Sequence, residues 1–114
     1  MAITFKKLFS TGLFFLVMNT LSAQKQNPPG ADVYMNYCSA CHGKNLEGGQ
    51  APSLLTTKWK QGETKKAIIQ TIKKGVVNTS MMAWENILTE KQIEAVADYM
   101  LLLKKKKPGS TSKG

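Results

Sequence analysis

Apolar positions recur at helical spacing in three stretches of this chain. The clearest is the last, where Ile93, Val96, Ala97 and Met100, with Tyr99 beside them, follow a 3.6-residue period. Just ahead, Thr89-Glu90-Lys91-Gln92 forms a capping box, with Thr89 as N-cap and Gln92 three residues on. Leu88 and Ile93 take the two positions of a hydrophobic staple. The pattern predicts a helix that ends in Lys104 to Lys107, where cations suit a helix C-terminus, and stops at Pro108-Gly109. The middle stretch turns Ala67, Ile68, Ile72 and Ile69 inward, with Thr64 as N-cap and Gly75 at its end. Lys65, Lys66, Lys73 and Lys74 then fall on its outer surface. The first stretch begins near Ala31, and Val33, Tyr34 and Tyr37 share one side, a stripe that reads as core packing. Lys44 to Gly49 is a polar, glycine-containing loop, and Gly75 to Asn86 connects the second and third stretches. The elements predict an all-α domain.

A different pattern opens the chain. Lys6 and Lys7 precede a mostly apolar run from Leu8 to Leu21, and Leu21-Ser22-Ala23 resembles a small-residue cleavage site. Residues 1–23 therefore read as a signal peptide. The run is short for a membrane span and is interrupted by Ser10, Thr11 and Asn19; an uncleaved anchor is the competing reading. Residues 24–30 read as a flexible leader, 31–104 as the domain, and 105–114 as a basic flexible tail. One domain is all that 114 residues have room for. The full chain carries a formal charge of +9; without residues 1–23, 14 lysines and no arginine stand against 7 acidic residues, leaving +7. Lysine without arginine argues against nucleic acid, where bidentate arginine contacts are common. It fits electrostatic steering toward an acidic partner.

The chemistry sits in Cys38-Ser39-Ala40-Cys41-His42, which holds both cysteines and the only histidine. Two thiols separated by two residues, followed directly by an imidazole, form the attachment sequence of c-type haem. On one helical turn both thiols reach vinyl groups of the same porphyrin, and His42 can offer a nitrogen to the iron. A thioredoxin-like Cys-x-x-Cys would need a βαβ context, and a structural zinc site would need a second Cys/His pair. A plain disulfide would close a very small loop and leave His42 without a reason. A ligating histidine usually donates its other N–H to a carbonyl or carboxylate, and the Pro52 carbonyl, in Ala51-Pro52-Ser53-Leu54, is the candidate acceptor. Trp59 reads as core, with a cover for a haem edge as the alternative.

With one histidine, a six-coordinate iron needs a second donor of another kind, and methionine sulfur is the common one. Met1 and Met18 fall in the N-terminal segment, Met35 lies only three residues before Cys38, and Met100 belongs to the last helix. Met81 and Met82 remain, in the loop between two helices.

These pieces resemble the class I (monohaem) cytochromes c over nearly all of Gly30 to Leu103. The matching stretches are Gly30-x-x-x-Tyr34-x-x-x-Cys38-x-x-Cys41-His42-Gly43, Ala51-Pro52-Ser53-Leu54, Met81-Met82-Ala83-Trp84, and Leu88-Thr89-x-x-Gln92-Ile93-x-x-Val96-x-x-Tyr99. The resemblance implies a small cytochrome c fold, three to five short helices wrapped around one covalently attached haem c. It implies that the N- and C-terminal helices cross closely, with Gly30 permitting the approach and Tyr34 packing near Tyr99. The family usually reads Met-Pro-Ala in the ligand loop; Met81 aligns with the Met and Met82 takes the Pro position. His42 and Met81 are thus the expected axial ligands, with Met82 as the alternative to Met81. The function implied is a one-electron carrier and not an enzyme, periplasmic or otherwise exported, a monomer serving a dehydrogenase or a terminal oxidase. Its redox partners would carry an acidic surface and dock at a haem edge ringed by some of Lys44, Lys58, Lys60, Lys73 and Lys74. The alternative is a haem protein with an open or labile sixth site, acting as a peroxidase or gas binder.

Overall fold

In a computed structural model that describes residues 24–56 and 58–106, the ordered elements are four helices. They are α1 (Ala31–Tyr37), α2 (Ser39–His42), α3 (Lys65–Lys74) and α4 (Glu90–Lys106). The expected signal peptide and the end of the basic tail lie outside the described residues. Among these residues no helix is long and apolar enough to cross a membrane.

The local signals act as their chemistry requires. At α3, the Thr64 hydroxyl accepts from the Ala67 N–H at 3.1 Å, and Gly75, at φ 70°, ends the helix. At α4, the Gln92 side-chain oxygen accepts from the Thr89 N–H at 2.9 Å, and the Thr89 hydroxyl accepts from the Gln92 N–H at 3.2 Å. Both capping bonds satisfy donors that the first turn of a helix leaves open. Leu88 and Ile93 are both buried, as the staple requires.

Helix α4 is the spine against which α1 and α3 pack. It buries Ile93, Val96, Ala97 and Met100; α3 contributes Ile68 and Ile72, and α1 contributes Ala31 and Tyr34. The crossing of α1 and α4 depends on a missing side chain. A Cβ on Gly30 would overlap the Ala95 carbonyl, and Gly30 also sits at φ 83°, a region that glycine enters without strain. Beyond it the Tyr34 and Tyr99 rings pack with centroids 5.5 Å apart.

Two features depart from the sequence reading. The loop from Lys44 to Gly49, expected to be a polar, glycine-containing loop, contributes the fully buried Leu46 to the core, at a left-handed φ of 66°. The stripe on α1 is not core along its length: Tyr34 is buried, Val33 half-buried, and Tyr37 is 42% exposed.

Candidate haem cavity

The motif is a helical turn, α2, that follows α1 directly across Cys38. The Cys38 N–H bonds to the Tyr34 carbonyl at 2.9 Å, and the His42 N–H bonds to the Cys38 carbonyl at 3.0 Å. The chain then returns beneath this turn. The Gly48 N–H donates to the His42 carbonyl at 2.8 Å and the Ala51 N–H to the Cys41 carbonyl at 3.0 Å. Tyr34 fixes the same turn from the core side, its hydroxyl donating to the Gly43 carbonyl at 2.6 Å. Burial pushes the Tyr34 phenol well above its ordinary value, so it remains a donor.

The second wall is the loop after α3. Its ends are tied down: the Val76 N–H donates to the Met81 carbonyl at 3.0 Å, and the Trp84 N–H to the Ile72 carbonyl at 3.0 Å. The Thr79 hydroxyl accepts from the Met81 N–H at 3.2 Å. Gly75 makes the fold-back possible, because a Cβ there would come within 2.5 Å of the Met81 carbonyl oxygen. Met81 is half-buried against the core, whereas Met82 is 51% exposed.

Between these walls lies a cavity of about 990 Å³. Cys38, Cys41, His42, Met81 and Met82 all line it, although the motif and the methionine loop are far apart in the chain. Pro52, Leu54, Trp59, Ile68, Ile72, Trp84 and Met100 complete an apolar wall. Tyr37 faces the cavity too, its ring edge-on to Trp84 at 5.7 Å between centroids. Trp59 both packs on the core and lines the cavity, with its indole N–H donating to the Leu54 carbonyl at 2.6 Å.

The donor set fits a covalent haem. Cys38 and Cys41 are free cysteines, both half-buried at the cavity. Burial, and then the neighbouring Cys41, push the Cys38 thiol up to about 11, which disfavours the thiolate that a metal ligand would need. Burial also lowers the basicity of His42 and keeps the imidazole neutral, the form that binds a metal. Among the described residues no group of three or more His, Cys, Asp or Glu side chains could hold a metal ion, which leaves the zinc reading without ligands.

Two expectations need correction. The Pro52 carbonyl does not accept from His42, whose Nδ1 is buried and without a hydrogen-bond partner among the described residues. The return loop is tied to the motif through Ala51 instead, one residue earlier. Lys73 and Lys74 do not offer free charge: Lys73 pairs with Glu90 at 2.9 Å and Lys74 with Glu85 at 3.0 Å. Lys58 and Lys60 are exposed at the cavity margin, and neither forms an ion pair among the described residues.

The chain belongs to the class I monohaem cytochrome c family: residues 25–100 match the model described as Cytochrome C oxidase, cbb3-type, subunit III. Membership brings one covalently bound haem c and a part in electron transport. The chain is 36% identical over 78 residues to the cbb3-type cytochrome c oxidase subunit CcoP of Azospirillum brasilense, covering 62% of this chain and 26% of that one. It is thus similar to only about a quarter of that subunit's length. Against cytochrome c6 of Euglena gracilis the identity is 37% over 76 residues, covering 62% of this chain and 85% of that protein. The fold also matches the crystal structure of cytochrome cL from Hyphomicrobium denitrificans, with a TM-score of 0.60 and 28% identity over 65% of this chain and 45% of that one.

Proposed function

We propose that this chain is an exported one-electron carrier, not an enzyme, in which Cys38 and Cys41 would hold the haem through thioethers and His42 and Met81 would ligate its iron. The observation that carries the reading is the convergence of all four side chains on one apolar cavity. The haem supplies the Fe(III)/Fe(II) couple. The chain's own part is to hold and insulate it. His42, kept neutral by burial, offers a lone pair from a turn fixed by backbone bonds and by the Tyr34 hydroxyl. Met81 offers a neutral thioether from a loop pinned at both ends. Histidine–methionine ligation raises the potential, and so does an apolar wall that disfavours the more charged oxidised state. Support for a carrier comes from the family, and the oxidase subunits among its relatives favour a terminal oxidase as the electron acceptor.

An acidic partner surface would meet this molecule on the side of Lys58 and Lys60, which retain free charge near the cavity, and not on the side of Lys73 and Lys74. The ligand assignment is tested by paired substitutions. Met81→Ala should lower the reduction potential and open the iron to carbon monoxide, while Met82→Ala, at an exposed position, should leave both nearly unchanged. Opening by Met82→Ala alone would transfer the sixth ligand to Met82.

A further inference from the structure

One wall of the cavity is fastened from outside by residues that the ligand chemistry does not use. Trp59 lines the cavity, and its indole N–H is already committed to the Leu54 carbonyl. Its ring face is covered by Lys104, whose Nζ stands 4.5 Å from the ring centroid. Lys104 comes from the C-terminal end of α4, and its ammonium is paired with Glu63, in the segment between Trp59 and α3. The carboxyl of Glu63 is held below its ordinary value chiefly by this hydrogen bond. Lys104 is largely covered for a lysine, with 21% of its side chain exposed, so the contact is not a loose surface pair. A cation over an indole face is attracted by the ring's negative quadrupole, and the lysine stem adds apolar cover.

We propose that Lys104 and Glu63 are positioning residues that clamp Trp59 into the cavity wall and balance charge behind it, and so set the reduction potential of the haem. The inference rests on the electron-carrier reading of the cavity. Its electrostatic content has a definite sign. The oxidised iron carries one more positive charge than the reduced iron. With both partners present, cation and anion offset each other behind the ring. Removing the anion leaves Lys104 uncompensated and penalises the oxidised state. Removing the cation leaves Glu63 with Lys58, a weaker influence than Lys104, as its remaining cationic neighbour, and so favours it.

The experiment uses the full-length haem-loaded protein and redox titration of four forms: the unmodified chain, Glu63→Gln, Lys104→Met and the double variant. Lys104→Met keeps an apolar stem over the ring while deleting the charge. Glu63→Gln should raise the potential and Lys104→Met should lower it. The double variant should return toward the unmodified value, with any remaining downward shift reporting loss of the clamp. Absorption spectra of the same samples should keep the unmodified ligand bands, which separates this result from a failure of the ligand assignment. Shifts of the same sign in the two single variants, or no shift in either, with those bands intact, would overturn the proposal. A purely structural role would lower stability without producing opposite potential shifts.

Discussion

Helix α1, with its two caps Gly30 and Cys38, meets two different environments. Around Gly30 and Tyr34 it presses against α4, and the space is filled by protein: Tyr34, Val96 and Ala97 have no accessible surface. At Tyr37 and Cys38 the same helix faces a cavity of about 990 Å³. Apolar residues line both places, but only the first is completed by amino acids. An apolar stripe therefore has two possible destinations in this molecule, and helical periodicity alone does not separate them. The crossing should answer to steric changes and the cavity to changes in donor atoms.

The largest effect should come from His42→Ala. It removes the proposed iron ligand and should abolish the low-spin haem spectrum, while circular dichroism retains the signal of the packed helices. A spectrum unchanged by that substitution would remove His42 from the site. Next is Gly30→Ala, which places a methyl group into the Ala95 carbonyl at a positive φ. It should cost about 3 kcal/mol of stability, read by denaturant unfolding, while the folded fraction keeps its haem bands. Equal stability would mean that the crossing relaxes more readily than its contacts indicate. The smallest effect tests the link between the two regions. Tyr34→Phe keeps the ring against Tyr99 and deletes only the bond to the Gly43 carbonyl, a loss of about 1 kcal/mol. A small change in the His42 bands should accompany it, because that bond holds the residue after His42.

Much of the helical side was legible from residue pattern. Thr89 and Gln92 announce α4, Thr64 and Gly75 bound α3, and Ile93, Val96, Ala97 and Met100 mark the buried face. These signals are local, and each acts within one or two turns. The close approach at Gly30 came from family resemblance, since no local pattern says what a glycine must pass. The reading was weakest where a contact joins distant segments. The ion pairs of Lys73 and Lys74 reach Glu90 and Glu85, 17 and 11 residues away, so the outer face of α3 looked like free charge. Leu46 was missed because a lone apolar residue in a polar loop has no period. Its burial at left-handed φ was the cue that only coordinates supply. Tyr37 read as core although it is exposed and lines the cavity, whereas Trp59 meets both of its readings, packing on the core and lining the cavity. The motif residues themselves were legible as chemistry, and the structure adds that Met81 and Met82 reach the same cavity from the far wall.

The central claim is that this cavity holds a haem closed on both sides by His42 and Met81. It is tested most directly by the visible absorption spectrum of the exported protein, ferric and ferrous, with and without carbon monoxide. The account predicts sharp low-spin bands, a ferric sulfur–iron charge-transfer band and no shift on adding carbon monoxide. A high-spin spectrum that moves with carbon monoxide would contradict it, and would place the protein among haem proteins with an open sixth site.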